Sequence, residues 1–415
     1  MKPSSFSVAV IVLCFSLAQS AMASSKWYVD GVNGDDANDC KSWVNACGTI
    51  GHAISLSASG DSILIAAATY QEDNLLIPFS LKLTGAAAAT TIIDSGYNAT
   101  VIFINNAAAR VAISNLTIKR GNAPIRGGGV YNGGILTISN TVFTLNTGYS
   151  GGAIFNAGTV TISNTSISNN GTGGVHTASC GAIDNQGKMT ISNSTLDGNS
   201  DAPTNYTYGG AICNRGTLTI NNSTLSNNTS DGANTGAGGA IYNLSKLAIN
   251  NSTFSGNSAS AAYGGGAIYN EGGAIKISNS TLSGNTSGGP GGGINNTSGT
   301  VTLQNSMIAN SPSGGNCAGT VKSSGYNLSS DGTCNFAGAG DLNNIDPQLG
   351  PLQNNGGPTL TMALPSGSPA VDAGNPLGCK DNLGHLLKTD QRGQLRTDTE
   401  DASGCDMGAY ESPRD

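Results

Sequence analysis

The sequence predicts an all-β solenoid, a chain wound into stacked coils, and three observations carry this prediction. The unit GGAIYNLSKLAINNSTFSGN occurs in seven related copies that begin at residues 127, 151, 180, 209, 238, 265 and 291, a period of 24 to 29 residues. Repeats of this length are typical of solenoids. Each copy has three short stretches of alternating apolar and polar residues and no helical spacing, which indicates three strands. Only 10% of the residues are charged while 60 of 415 are glycine, which favours tight turns over long helices.

Apolar residues of successive units align in four columns, which we expect to point inward. Coils stacked about 4.8 Å apart would then share a continuous dry core, and each strand would hydrogen-bond to the coils on either side. This pattern predicts a parallel β-helix of the pectin-lyase-like kind, and backbone chirality favours a right-handed one. The first column consists of Val130, Ile154, Ile183, Ile212, Ile241, Ile268 and Ile294.

The chain divides into four segments. Residues 1–23 combine a basic start, an apolar run and a small-x-small motif, which predicts a signal peptide and therefore export, with no transmembrane segment in the mature chain. Residues 24–60 are expected to form an N-terminal cap with a helix at Thr49–Ala58. The β-helix is assigned to 61–340, with clear repeats over 127–310, and 341–415 to a C-terminal cap.

Asparagine recurs at two positions of every unit. The side-chain amide can bond the amide one coil away, and asparagine tolerates left-handed turns, so we interpret both columns as structural ladders. The columns are Asn132, Asn156, Asn185, Asn214, Asn243, Asn270 and Asn296, and Asn140, Asn164, Asn193, Asn222, Asn251, Asn279 and Asn305.

Loss of Cys14 with the signal peptide leaves eight of the nine cysteines, an even number that predicts disulfides in an exported chain. Pairing of near neighbours would join Cys40 with Cys47, Cys317 with Cys334, and Cys379 with Cys405. Cys180 is the first residue of its unit and Cys213 the fifth of the next, an offset of about 13 Å along extended strands. A disulfide needs Cα atoms about 4.4 to 6.8 Å apart. We therefore expect these two not to be bridged unless the coil bends there.

Two sets of motifs resemble known families. The GGAI motifs, together with FTLN at 143–146 and FSGN at 254–257, resemble the GGA[ILV] and FxxN repeats of polymorphic outer membrane proteins, which are adhesins. The C-terminal GPLQNNGGPTLTMALPSGSPAVDAG, DQRGQLR and DMGAYE are similar to the choice-of-anchor Q domain of bacterial surface and secreted β-helix proteins. These resemblances imply a protein that is secreted or on the bacterial cell surface. The final Ser412–Asp415 adds no barrel or sorting tail, which favours release.

Groups that could carry chemistry are concentrated outside the repeats. Between Arg126 and Asp184 there is no Asp, Glu, Lys or Arg, and His176 has no acidic neighbour. Asp30, Asn33 and Asp35 could ligate Ca²⁺ through oxygen atoms, although a plain turn-rich loop explains them as well. No cofactor is predicted, and Ca²⁺ is the possible metal. A C-terminal group is interpreted as structural ion pairs: Asp372, Asp390, Arg392, Arg396, Asp406 and Glu411.

One outward column is a candidate ligand-binding row, because exposed aromatic rings can stack on sugars or on a partner. The alternative is that the rings stack on one another as cross-strand pairs. The column contains Tyr131, Phe155, Asp184, Cys213, Tyr242, Tyr269 and Asn295, and the first three with Tyr242 and Tyr269 are the ligand-binding candidates. A neighbouring threonine column is interrupted by Ala248 and Lys276, which argues against an ice-binding array.

Composition and motifs together favour an exported, non-catalytic, adhesin-like or glycan-binding protein. The 18 basic and 25 acidic residues give a net charge of −7, the opposite of what nucleic-acid binding needs. The expected partner is an extracellular glycan or a cell-surface component. The alternative is a Ca²⁺-assisted polysaccharide lyase or glycoside hydrolase, which would require a groove where carboxylates and a basic side chain converge.

Overall fold

The computed structural model describes residues 24–172, 179–201, 206–232, 235–260, 262–396 and 404–413. The predicted signal peptide and His176 lie outside these ranges. Within the described residues the chain forms a right-handed parallel β-helix with one α-helix, Ile50–Leu56. Those same residues contain no helix long and apolar enough to cross a bilayer. The predicted fold class is confirmed.

Each coil contributes strands to sheets that run the length of the solenoid. The first sheet contains Lys26–Val29, Ser62–Ile65, Leu75–Leu76, Leu81–Gly85, Ile102–Ile104, Arg110–Ser114, Val130–Asn132, Ile135–Ser139, Ile154–Asn156, Thr159–Ser163, Ile183–Asn185, Lys188–Ser192, Ile212–Asn214, Thr217–Asn221, Ile241–Asn243, Lys246–Asn250, Ile268–Ser278, Ile294–Gln304, Cys317–Gly319 and Lys322–Ser323. The second sheet contains Ala68–Tyr70, Thr91–Asp94, Thr117–Lys119, Val142–Thr144, Ser166–Ser168, Thr195–Asp197, Thr224–Ser226, Thr253–Ser255, Thr281–Ser283, Met307–Ala309, Leu328–Ser329 and Leu342–Asn343.

Two smaller sheets and a hairpin complete the fold. The third sheet contains Asn122–Ala123, Thr147–Gly148, Gly171–Thr172, Ser200–Asp201, Thr229–Ser230, Ser258–Ala259 and Thr286–Ser287. The fourth contains Ser179–Cys180, Tyr206–Tyr208 and Thr235–Ala237, and the hairpin joins Leu352–Gln353 to Thr361–Met362. The two-residue strands of the third sheet were not predicted, because a stretch of two residues is too short to show alternation.

The inward columns form one apolar core that runs from Trp27 to Phe336. The first column is in register as predicted, with Val130 opposite Ile154 and Ile154 opposite Ile183, and all three side chains are buried. Burial of apolar surface contributes about 25 cal/mol per Å² to the free energy of folding. Stacking of these branched side chains is therefore the main stabilising contribution to the solenoid.

Both asparagine columns are structural, in two different ways. The first column is fully buried in the central coils, and the Asn185 side-chain amide donates to the Asn214 Oδ1 at 2.8 Å. The second column instead adopts left-handed turns, with φ of 47° at Asn164 and 48° at Asn222. A third buried ladder was not predicted from the sequence. It links Asn146, Asn170, Asn199, Asn228, Asn257 and Asn285.

The N-terminal helix lies where the sequence predicts it. The Thr49 side chain accepts a hydrogen bond from the His52 amide and caps the helix, whose Ile50 and Ile54 are buried against the core. The strand Lys26–Val29 already pairs with Ser62–Ile65, so the first sheet begins within the segment expected as a cap.

The C-terminal segment runs back along the side of the preceding coils. The Thr224 hydroxyl donates to the Leu360 carbonyl at 2.6 Å, and Gln391 bonds both Thr224 and Thr253. Further along, the Ala409 amide donates to the Thr281 Oγ1 at 3.1 Å. Polar side chains on the outside of the second sheet thus provide the hydrogen-bond partners that hold this segment in place.

Three disulfides join the cysteines paired by proximity: Cys40 with Cys47, Cys317 with Cys334, and Cys379 with Cys405. The expectation that Cys180 and Cys213 stay apart is wrong, because they form a fourth disulfide with Cα atoms 5.5 Å apart. The residues after Cys180 bend before the strand Ile183–Asn185 begins. The offset between the two cysteines therefore does not run along an extended strand.

Candidate functional site

The longer strands of the first sheet present an outward surface, which we call the open face. It consists of three outward rows, because every second residue of these strands points away from the core. The first row is Arg110, Ile135, Thr159, Lys188, Thr217, Lys246, Ala274 and Thr300. The middle row is Lys26, Ser62, Lys82, Ala112, Thr137, Thr161, Thr190, Thr219, Ala248, Lys276, Thr302 and Lys322. The third row is Tyr28, Leu64, Thr84, Ser114, Ser139, Ser163, Ser192, Asn221, Asn250, Ser278 and Gln304. The C-terminal segment covers part of this third row, where the Asn382 amide donates to the Asn250 Oδ1 at 2.9 Å and Ser278 is buried.

Charge on the open face has one sign. The three rows contain seven of the chain's 18 basic residues and none of its 25 acidic residues. All seven are exposed, and none forms an ion pair with a carboxylate in the described part of the chain. They are Lys26, Lys82, Arg110, Lys188, Lys246, Lys276 and Lys322. An acidic protein therefore has one positively charged, hydroxyl-rich surface.

The aromatic column is in the predicted register, but it is not an exposed row. Phe155, Tyr242 and Tyr269 are buried, and Tyr131 is partly exposed. The rings stack on one another, with centroids 5.1 Å apart for Tyr131 and Phe155 and 5.6 Å apart for Tyr242 and Tyr269. The alternative of mutual stacking therefore describes these residues better than an open sugar-binding row. Burial also raises the pKa of Tyr242.

Asp184, the acidic member of that column, is also buried. Its carboxylate accepts hydrogen bonds from the Ser150 hydroxyl at 2.9 Å and from the Arg215 guanidinium at 2.7 Å. The same guanidinium contacts the Cys180 sulfur at 3.1 Å. Asp184 thus has structural contacts beside the Cys180–Cys213 disulfide.

The carboxylates proposed as Ca²⁺ ligands are bound by their own loop. Asp30 accepts hydrogen bonds from the amides of Val32 and Asn33 and from the Asn33 side chain, and Asp35 accepts one from the Ala37 amide. The Val32 amide in particular holds the pKa of Asp30 below its usual value. These contacts favour the turn-rich loop over a calcium site.

In the part of the chain that the structure describes, one group of three side chains has the spacing of metal ligands: Cys40, Cys47 and His52. Its two sulfur atoms are joined in a disulfide and are not thiolates. The group is therefore not a candidate metal centre.

Four of the C-terminal charged residues are buried, namely Asp390, Arg396, Asp406 and Glu411, whereas Arg392 is partly buried and Asp372 is exposed. Arg396 pairs with Glu411 at 2.9 Å, and Arg392 with Asp390 at 2.8 Å. Asp406 accepts hydrogen bonds from backbone amides, including that of Asp372 at 2.8 Å. Burial raises the pKa of Glu411 to about 8 and that of Asp406 above its usual value. These charged residues hold the end of the chain on the solenoid and open no groove.

The open face is the site that sequence reasoning missed. Its signal is present in the repeats, because Lys188 and Lys246 occupy the same position of their units. The overall charge of −7 hides that signal. Only assignment of each lysine to an outward row shows that the basic residues share one face.

The chain from 100 to 282 matches the family model described as "Right handed beta helix region". A search of curated proteins finds no match. The matched region agrees with the right-handed parallel β-helix fold of this chain.

Among solved structures, the pectate lyase Pel9A aligns with 95% of this chain and 98% of its own, at 15% identity and a TM-score of 0.55. The complex of XylC with xylose aligns over 69% of each chain, at 8% identity and a TM-score of 0.48. The GH136 lacto-N-biosidase from Eubacterium ramulus covers 74% of this chain and 64% of its own, at 10% identity and a TM-score of 0.43. At these identities the likeness to Pel9A concerns the fold alone.

Proposed function

We propose that this protein is a non-catalytic, extracellular, adhesin-like protein that binds an acidic polysaccharide along the open face. The observation that carries the proposal is the segregation of charge, with seven basic residues and no acidic one in the three outward rows. A polymer with carboxylate or sulfate groups would be drawn to this surface by its field.

The shape and chemistry of the face suit a long polymer. Threonine and serine hydroxyls recur on coils about 4.8 Å apart, and they can donate to and accept from sugar hydroxyls. Lys188 and Lys246 are two coils apart in the same row, or about 10 Å, so several coils can each bind an anionic group. Many weak contacts on one polymer add up through effective concentration.

The extracellular location is supported by the four disulfides, which form and persist in oxidising compartments. The non-catalytic part of the proposal is supported by the surroundings of the carboxylates. Asp390, Asp406 and Glu411 lie close to two arginines, but they are buried and bonded to backbone amides. A substrate would need an accessible acid or base.

The proposal is tested by measuring retention of the protein in gels that contain polygalacturonate, alginate, hyaluronate or neutral dextran. We expect retardation by one or more acidic polymers and none by dextran. Lys246→Glu should weaken that retardation, because it reverses one charge on the open face. Lys388→Glu makes the same change in net charge on the C-terminal segment, where the side chain is also exposed, and should have little effect.

A depolymerisation assay on the same polymers tests the non-catalytic part. We expect no new reducing ends and no unsaturated products after long incubation with the purified protein. Appearance of either product would favour the lyase or hydrolase alternative. Equal behaviour of the Lys246→Glu and Lys388→Glu variants would instead contradict the assignment of binding to the open face.

A further inference from the structure

An aromatic pair, the exposed Trp43 and the half-buried Tyr28, lies at the N-terminal end of the open face. Trp43 is 51% exposed, and its ring packs edge-on against Tyr28 with the centroids 4.9 Å apart. Tyr28 is the first residue of the third outward row, in register with Leu64 of the next coil. The pair is therefore continuous with the surface proposed to bind a polysaccharide, and Tyr28 is the only aromatic residue in the three rows of the open face as the structure describes them.

The loop that carries Trp43 is held firmly in place. The Cys40–Cys47 disulfide closes it, and the Tyr28 backbone bonds both of those cysteines, each at 2.9 Å. Asp36 fixes the far end by accepting hydrogen bonds from the amide and hydroxyl of Thr49. A ring that is already positioned loses little conformational entropy when a ligand stacks on it. The acidic loop that contains Asp30, Asp35 and Asp36 thus helps to hold Trp43 in position.

Two ammonium groups accompany the aromatic pair. Lys26 precedes Tyr28 by two residues, so both side chains point outward from the same strand. Lys82 occupies the same row as Lys26 two coils further on, about 10 Å away. Both lysines are exposed. This end of the face therefore combines an apolar ring surface, which can stack on the C–H face of a sugar, with positive charge for an acidic substituent.

We propose that Trp43 and Tyr28 form a stacking subsite for the terminal pyranose ring of the acidic polysaccharide, and that Lys26 and Lys82 bind its carboxylate groups. This inference rests on the proposed function. It adds that the open face has a distinct end, where a short oligosaccharide binds without help from the remaining coils.

Tryptophan fluorescence provides a direct measurement, because the chain has two tryptophans in different surroundings. Trp27 is buried, and its indole N–H donates to Asp61 at 2.8 Å, so Trp43 should dominate any response to a surface ligand. The probe is a trimer of galacturonic acid, with maltotriose as the neutral comparison. We expect a saturable change in emission with the acidic trimer only.

Variants of the loop separate stacking from folding. Trp43→Ala should weaken binding of the acidic trimer, measured by calorimetry, about tenfold, because it removes the ring surface. Trp43→Phe should retain most of the affinity. The matched control is Val44→Ala, which truncates a side chain that is 91% exposed on the same loop and should bind as the unmodified protein does. Equal thermal midpoints of the variants would show that the loop remains folded.

The outcomes distinguish this inference from the proposed function. Acidic polymers could be retained while the trimer either does not bind or binds Trp43→Ala as tightly as the unmodified protein. That result would contradict the end subsite and leave the proposed role of the open face intact. Equal binding of maltotriose would overturn the role of Lys26 and Lys82. If no acidic polymer is retained by the unmodified protein, both proposals fail.

Discussion

At the scale of single residues, asparagine has two different structural roles in this solenoid. Asn214 is fully buried, and its amide donates to the Asn243 Oδ1 at 2.8 Å, so each coil satisfies the polar group of the next. Asn164 is exposed, and its contribution is a backbone with φ of 47°. Sequence spacing identified both columns as structural, but it could not separate a side-chain ladder from a turn conformation, because asparagine suits both.

This difference predicts that substitutions in the two columns lower the free energy of unfolding by different amounts. Asn214→Ala should lower the free energy of unfolding by about 2 to 3 kcal/mol, because it leaves the buried Asn243 Oδ1 without its side-chain donor. Asn164→Ala should cost about 1 kcal/mol, the strain of a left-handed turn without asparagine or glycine. Urea unfolding monitored by circular dichroism measures both. Equal losses for the two variants would contradict the ladder as a source of stability.

A second residue-scale prediction concerns the buried Glu411. Burial raises its pKa to about 8 from the ordinary 4.5, so the folded protein binds more protons than the unfolded chain between these values. Stability should therefore fall as pH rises from about 4.5 to about 8 and then level off. Thermal unfolding of the protein and of Glu411→Gln across this range measures the effect. The variant should lack this part of the pH dependence, and parallel curves would show that Glu411 does not titrate there.

At the scale of elements, the strands were predictable and the turn before them was not. Alternation of apolar residues located strands such as Ile135–Ser139, because side chains of a strand point in and out in turn. The first residue of most units is a glycine in the left-handed region, with φ of 67° at Gly151 and 61° at Gly209. Cys180 occupies this position in its own unit but lies in the strand Ser179–Cys180 without a positive φ, and the chain bends at Gly181 and Ala182 instead. Because of this bend, the Cα atoms of Cys180 and Cys213 are 5.5 Å apart, whereas extended backbone would separate them by about 13 Å.

The Cys180–Cys213 disulfide should stabilise the solenoid more than the terminal one between Cys40 and Cys47. The two bonds span 33 and 7 residues, and a longer closed loop restricts the unfolded chain more. Replacing both Cys180 and Cys213 by alanine should cost roughly 3 to 4 kcal/mol, against about 2 kcal/mol for the same change at Cys40 and Cys47. Mass spectrometry of unreduced peptides checks the cysteine pairing. Urea unfolding of the two double variants shows which disulfide contributes more to the free energy of unfolding. The reverse order would contradict the loop-length argument.

At the scale of the whole molecule, repetition turns small local preferences into large uniform surfaces. The fold could be predicted because each inward column has an apolar side chain in coil after coil, as Val160, Met189 and Leu218 do. The open face was not predicted, since most coils have threonine, serine or alanine where a few have lysine, and the net charge has the opposite sign. The burial of Tyr242 and Tyr269 could not be predicted either, because Tyr208 and Tyr263, which pack against them, lie between the repeated segments.

Because the basic residues lie on one face, binding of an acidic polysaccharide should depend steeply on salt. Exposed charges are screened beyond about 10 Å at 0.1 M ionic strength, a distance close to the two-coil spacing of Lys188 and Lys246. Raising NaCl from 0.05 to 0.5 M should lower the association constant at least tenfold, measured by calorimetry with the polymer that is retained most strongly. Lys246→Glu should show a shallower dependence than Lys388→Glu, since it removes a charge that contributes to the field of the face. The same salt dependence for both variants would contradict the assignment of binding to the open face. The net charge of the whole molecule, −7, cannot explain attraction of an acidic polymer.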